Sequence, residues 1–140
     1  MRMTKVYAAV FGLGLIVAAA PVFAHHSFAA EYDSNKPITI KGTVNKMLWS
    51  NPHGWIYLDV KAPGGRVISW ALELGGVNAL YRRGWRKEDL PVGTTVTADG
   101  FLAKDGTPTM NATNITLPDG KRLFAGSSGP GAAPGAPPEN

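Results

Sequence analysis

Residues 37–61, PITIKGTVNKMLWSNPHGWIYLDVK, contain two runs of alternating apolar and polar residues separated by a Ser-Asn-Pro-His-Gly segment. Alternation with a period of two indicates half-buried β-strands, because successive side chains of a strand point to opposite faces. Asn, Pro and Gly favour a tight connection between such strands. The stretch therefore predicts two consecutive strands joined by a loop that carries His53.

Three more strands are predicted over residues 66–74, 94–103 and 109–117, from similar patterns and from Gly-containing turns. A short helix is predicted over residues 77–83, because Gly84 stands where a C-terminal helix cap belongs. Closing the sheet protects edges that a small chain would otherwise expose. The pattern predicts a mainly all-β fold: a five-stranded OB-fold-like Greek-key barrel with one short helix between strands 3 and 4. A β-sandwich is the alternative.

Residues 1–24 have the features of a cleavable secretory signal peptide. A basic start is followed by an apolar run over residues 6–20 and by Val-Phe-Ala at residues 22–24. The apolar run is shorter than the about 20 residues that a membrane-spanning helix needs. Cleavage after Ala24 would give a periplasmic or secreted chain that begins at His25 and has no stable membrane span. Cleavage after Ala20 is the competing site.

The mature chain is predicted to have three parts. Residues 25–36 form an N-terminal arm, residues 37–124 form the OB-like domain, and residues 125–140 form a disordered Gly/Pro/Ala tail. The tail lacks large aliphatic residues and cannot bury enough apolar surface to offset the entropy of ordering its backbone. The sequence has no cysteine, so disulfides cannot stabilise the domain.

Charge and motif content argue against several function classes. The formal net charge is +4, and the basic cluster at residues 82–87 is typical of a solvated helix end, so nucleic acid is not a predicted partner. P-loop, dinucleotide-binding and Gly-x-Ser-x-Gly motifs are absent from the sequence. Asp59 and Glu73 fall on outward strand positions and are expected to be solvated. No enzymatic activity and no catalytic residue are predicted.

The three histidines, His25, His26 and His53, are the candidate metal ligands. At a mature N-terminus, the α-amine and the imidazole of His25 can chelate one metal ion together, since both donate as neutral nitrogens near neutral pH. Nitrogen-rich sites favour Cu(II) among divalent first-row metals. His53 would supply a third nitrogen and His26 an alternative one. The competing interpretation is that these histidines are ordinary solvated or turn residues.

A second candidate site is aromatic. Met47 and Trp49 are expected on the outward side of the first strand, and Trp55 and Tyr57 on the outward side of the second. Trp49, Trp55 and Tyr57 together would form a stacking face for a ligand. The alternative is that the arm, through Phe28 and Tyr32, covers this face.

The mature sequence resembles a family of uncharacterised bacterial exported proteins, a domain-of-unknown-function family. The resemblance rests on the stretches HHSFAAEYD (residues 25–33), KGTV (41–44), NPH (51–53), RRGW (82–85) and LPDG (117–120). It implies export and a small β domain, and it implies no activity.

Two functions therefore follow as expectations. The first is an exported β-barrel binding protein that coordinates copper or a similar metal through the mature N-terminal histidine and His53. The second is a metal-independent module that binds a glycan, peptide or protein partner on the aromatic strand face. The metal content of the mature protein distinguishes them.

Overall fold

The computed structural model describes residues 28–126. The predicted signal peptide, residues 25–27 of the arm and residues 127–140 of the predicted tail lie outside the described residues. In chain order the elements are α1 (Phe28–Glu31), β1 (Tyr32–Leu48), β2 (Trp55–Lys61), β3 (Val67–Glu73), α2 (Val77–Arg82), a 3-10 turn (Lys87–Asp89), β4 (Thr95–Ala103), β5 (Thr109–Thr116) and β6 (Arg122–Phe124).

The strands form one sheet that closes on itself. Antiparallel neighbours follow the order β3-β2-β1-β4-β5-β6, and a parallel pairing of β3 with β5 closes a ring of five strands. That pairing spans only Ala71–Glu73 and Thr109–Asn111. The predicted fold class is confirmed: a mostly β chain with five strands in a ring and a short helix between the third and the fourth.

The first strand is long because it serves two neighbours. Its first part pairs with β4 and its last part pairs with β2. The pairing with β2 jumps from Val44↔Leu58 to Lys46↔Tyr57, which leaves Asn45 as an extra residue in β1. One extra residue reverses the faces that all later side chains of a strand occupy.

This bulge corrects the expected placement of two side chains. Met47 and Trp49, which the simple alternation places outside, pack against the core. Leu48 is exposed instead and pairs with Trp55.

The helix α2 ends as the sequence predicts. Gly84 follows it with φ 93°, a left-handed backbone conformation that favours glycine. The chain then reverses and inserts Trp85, which is fully buried and donates its Nε1–H to the Phe124 carbonyl oxygen at 3.0 Å. The helix also buries Leu80. Helix and Trp85 thus pack into the core, which consists of Ile40, Val44, Ile56, Leu58, Leu72, Leu74, Leu80, Trp85, Leu90, Val96, Ala98, Met110, Ala112, Ile115, Leu123 and Ala125.

The packed chain continues through Gly126. Ala125 is fully buried, donates its N–H to the Thr113 carbonyl at 2.8 Å and accepts from the Gly75 N–H at 2.9 Å. The guanidinium of Arg83 donates to the Gly126 carbonyl at 2.8 Å. The residues after β6 are therefore tied to the loop after β3 and to α2.

Candidate functional site

A buried carboxylate lies at the end of β3. Glu73 stands between Leu72 and Leu74, both fully buried in the core, so strand alternation places its side chain on the outer surface of the ring. Even so, Glu73 is only 6% exposed. The expectation that this residue is solvated is wrong, because side chains from two distant segments cover it.

Tyr32, the first residue of β1, is one of the covering groups. It is 4% exposed, and its hydroxyl donates a hydrogen bond to Oε2 of Glu73. Burial, and then the hydrogen bond and negative charge of Glu73, raise the pKa of Tyr32 far above its ordinary value. Tyr32 therefore remains a neutral donor, and Oε2 of Glu73 acts as the acceptor.

His53, in the loop between β1 and β2, holds the other oxygen. Its Nδ1 lies 3.1 Å from Oε1 of Glu73 and 3.2 Å from the Leu74 carbonyl oxygen. A carboxylate oxygen and a carbonyl oxygen are both acceptors, so Nδ1 is the nitrogen that carries a proton. In the neutral imidazole, Nε2 then keeps its lone pair.

The loop around His53 is fixed by hydrogen bonds to the backbone. Ser50 Oγ donates to the His53 carbonyl at 2.8 Å. On the other side of the histidine, Gly54 donates to the Gly75 carbonyl at 3.1 Å and accepts from the Leu74 N–H at 2.8 Å. With its side chain 28% exposed, His53 combines a fixed backbone with access to solvent. Tyr32, Glu73 and His53 are called the Tyr–Glu–His cluster below.

The N-terminal segment docks beside this cluster. The ring of Phe28 stacks on Tyr32 at a centroid distance of 5.7 Å and meets Phe101 edge-on at 5.5 Å. Lys104 donates its backbone N–H to the Glu31 carbonyl at 2.9 Å, and its ammonium donates to the Ala29 carbonyl. The arm is thus packed against β4 from Phe28 onward.

Of the three predicted metal ligands, the structure describes His53. His25 and His26 lie outside the described residues, three and two positions before Phe28. Within residues 28–126, no group of three or more His, Cys, Asp or Glu side chains is arranged to hold a metal ion. A metal site at His53 therefore needs ligands from elsewhere.

The aromatic residues divide between two surfaces. Trp55 and Tyr57 are half-buried and alternate with the buried Ile56 and Leu58 on β2, so they share the outer face. The ammonium of Lys46 lies 5.6 Å from the Tyr57 ring centroid. Trp49 packs against the core and does not join this face.

The arm makes its aromatic contacts elsewhere. Phe28 contacts Phe101 and Tyr32, and Tyr32 contacts Glu73. Its ring contacts thus lie on β4 and the start of β1, whereas the aromatic face lies on β2.

Two arginines of the basic cluster at the end of α2 pack on aromatic rings of the domain. Arg83 stacks over Phe124 at 4.5 Å and Arg86 over Tyr81 at 3.8 Å. The Arg86 contact is local, whereas Arg83 reaches β6 and the Gly126 carbonyl, 43 residues further along the chain. Among residues 28–126, no helix has the length and apolar character needed to cross a membrane.

Sequence reasoning missed Tyr32 and Glu73 as members of a site. The available signal was a single acidic residue in the otherwise apolar stretch WALEL, residues 70–74. A carboxylate at such a position needs a partner if anything covers it.

These features define a small, mostly β protein with a closed ring of strands and a Tyr–Glu–His cluster on its outer face. The chain belongs to a family of unknown function, DUF6152, whose model matches residues 13–112. The matched range includes all three residues of the cluster. No curated protein and no solved structure matches the chain.

Proposed function

We propose that this protein is an exported, periplasmic or secreted, metal-binding protein that holds copper or a similar transition metal. The ligands are His53 and the amine and imidazole of a mature N-terminal His25, with His26 assisting. The observation that carries the proposal is the position of Nδ1 of His53, which is hydrogen-bonded to the Leu74 carbonyl oxygen at 3.2 Å and lies 3.1 Å from Oε1 of Glu73.

This hydrogen bonding is the arrangement that metal-binding histidines use. A ligating imidazole almost always donates its other ring N–H to a carboxylate or a carbonyl, which fixes the ring and raises its basicity. Nδ1 of His53 is hydrogen-bonded to a carbonyl oxygen and has a carboxylate oxygen 3.1 Å away, and within residues 28–126 its Nε2 has no hydrogen-bond partner. The imidazole is therefore prepared to offer Nε2 to a metal ion.

The docking of the arm supports His25 as the second ligand. Phe28 stacks on Tyr32, which is bonded to the same carboxylate that holds His53. Three residues of extended chain span about 10 Å. His25 is three positions upstream of Phe28, whose ring contacts the Tyr–Glu–His cluster, and this short separation supports a shared site.

Copper is the metal that this donor set suits best. An α-amine and two or three imidazoles supply only nitrogen, and affinity for divalent first-row metals peaks at Cu(II). The chelate requires an unblocked amine on His25, so signal cleavage after Ala24 is part of the proposal. Mass spectrometry of the N-terminus of exported protein tests that cleavage.

A Cu(II) titration tests the metal site. The mature chain that begins at His25 is compared with the same chain carrying one extra N-terminal glycine and with His53→Ala. We expect both changes to lower the affinity for Cu(II) at least tenfold. Lys61→Ala, an exposed position at the far end of β2, is the control and should bind as the wild type does. Equal affinities in all four proteins would exclude this site.

A metal-independent binding role is the second candidate, and the placement of Trp55 and Tyr57 on one outer face favours it. Half-exposed aromatic rings side by side can stack on a sugar ring, or against a peptide or protein partner. Metal content distinguishes the two functions. Copper in protein purified from its native compartment, lost in a His25→Ala/His53→Ala double variant, supports the first; absence from both supports the second.

A further inference from the structure

The two oxygens of Glu73 contact two side chains from segments that lie far apart in the sequence. Oε1 lies 3.1 Å from Nδ1 of His53, in the loop before β2, and Oε2 accepts a hydrogen bond from Tyr32, the first residue of β1. We infer that Glu73 is a positioning residue, not a ligand, that orients the imidazole of His53 and fixes Tyr32 at the same time. This inference rests on the proposed function and names how its site is assembled.

Each oxygen has a different task. The hydrogen bond to the Leu74 carbonyl, together with the carboxylate oxygen Oε1 3.1 Å away, holds the proton of His53 on Nδ1 and so leaves Nε2 for the metal ion. The contact from Oε2 fixes Tyr32, on which the ring of Phe28 stacks. Loss of the first contact disturbs the imidazole, and loss of the second disturbs the arm.

Because Glu73 and Tyr32 are buried, both contacts of the carboxylate must be kept. Glu73 is 6% exposed and Tyr32 is 4% exposed, so neither can exchange its partner for water without opening the structure. A buried carboxylate that loses one donor retains an unsatisfied oxygen, which is costly. The carboxylate is therefore stable only when both the loop and the arm are in place.

Two isosteric variants separate the two tasks. Glu73→Gln removes the carboxylate that orients His53 and fixes Tyr32, whereas Tyr32→Phe removes only the hydroxyl. Asp59→Asn is the matched control, because it also deletes one negative charge but at an exposed site bonded to Asn45. All variants are prepared as the chain beginning at His25, with the N-terminus verified by mass spectrometry.

The first readout is the tautomer of His53, from ¹⁵N NMR of the imidazole in metal-free protein. We expect the proton on Nδ1 in the wild type, in Tyr32→Phe and in Asp59→Asn, and a mixture of tautomers in Glu73→Gln. The second readout is Cu(II) affinity. Glu73→Gln should lower it about 10–100-fold, the usual effect of removing such a partner. Tyr32→Phe should lower it less, and Asp59→Asn should leave it unchanged.

The outcomes are distinguishable. A proton on Nε2 of wild-type His53, or an equal loss of Cu(II) affinity in Glu73→Gln and Asp59→Asn, overturns the inference. The expected tautomers without Cu(II) binding support the positioning of His53 by Glu73 and contradict the proposed function. Should Glu73→Gln not fold, the wild-type tautomer and the affinity of Tyr32→Phe against Asp59→Asn still decide the question.

Discussion

The hydroxyl of Tyr32 donates a hydrogen bond to the carboxylate of Glu73, 41 residues further along the chain. It connects the first residue of β1 to the last residue of β3, two strands that are not neighbours in the sheet. The other oxygen of the same carboxylate lies 3.1 Å from Nδ1 of His53. One side chain thus ties the start of the folded chain to the loop before β2.

Protein stability should fall at alkaline pH because of Tyr32. Burial and Glu73 raise the pKa of its phenol above the ordinary value of about 10. Above pH 10 the unfolded chain loses this proton while the folded chain keeps it. The contribution of Tyr32 to the free energy of unfolding is therefore fully present below pH 10 and decreases as the pH rises further. Urea unfolding between pH 8 and 11.5 measures this. Tyr32→Phe should show a shallower decrease, and identical slopes would contradict the assignment.

Replacing Phe28 with Ala should weaken metal binding more than it weakens the fold. The ring stacks on Tyr32 and meets Phe101 edge-on, and each aromatic pair contributes about 0.5–1.5 kcal/mol. Without it the residues before Phe28 lose their anchor, and we expect the Cu(II) affinity to fall at least tenfold. Tyr81→Ala, which removes a 55% exposed ring from α2, is the control. Unchanged affinity in Phe28→Ala would argue against a ligand in the arm.

Trp85 should be the most sensitive core position. Its side chain is fully buried, and its Nε1–H donates a hydrogen bond to the Phe124 carbonyl oxygen. Trp85→Ala is expected to cost about 3–5 kcal/mol of unfolding free energy. Trp85→Phe keeps an aromatic ring but leaves that carbonyl without its donor, and the lost hydrogen bond should lower the unfolding free energy by about 1–3 kcal/mol relative to the wild type. Val92→Ala, at a side chain 70% exposed, should stay within about 0.5 kcal/mol of the wild type by chemical denaturation.

Two truncations should differ sharply although they are two residues apart. A chain ending at Gly126 keeps the buried Ala125, its two backbone hydrogen bonds and the contact from Arg83. A chain ending at Phe124 loses all of these, and we expect it to be less stable by at least about 2 kcal/mol. The chain ending at Gly126 should match the full-length protein in thermal unfolding. Equal melting temperatures of the two truncated chains would show that these contacts contribute little.

Much of the fold was predictable because its signals are local. Alternation gave the strands, and Gly84 gave the end of α2. The bulge at Asn45 leaves only an ambiguous mark, because alternation puts the charged Lys46 on the apolar face while Met47, Leu48 and Trp49 are apolar on both faces. It moved Trp49 from the expected outer face to the core.

The candidate site was predictable only in part. His53 was identifiable as a scarce residue type in a loop. Its partners were not, because Tyr32 and Glu73 are far apart in sequence and meet only in the folded chain, where the start of β1 lies beside the end of β3. Alternation placed Glu73 correctly on the outer face but could not reveal what covers it.

The parallel junction between β3 and β5 has a consequence for the ring as a whole. It spans three residues of each strand, fewer than the other junctions of the ring, and Glu73 is one of them. Backbone segments with the fewest hydrogen bonds open most readily. An ion held between His53 and the arm would restrain the residue at this weakest junction. Amide hydrogen exchange of Ala71 and Asn111 would then slow when Cu(II) is added, because closure of the sheet and occupancy of the metal site would be coupled.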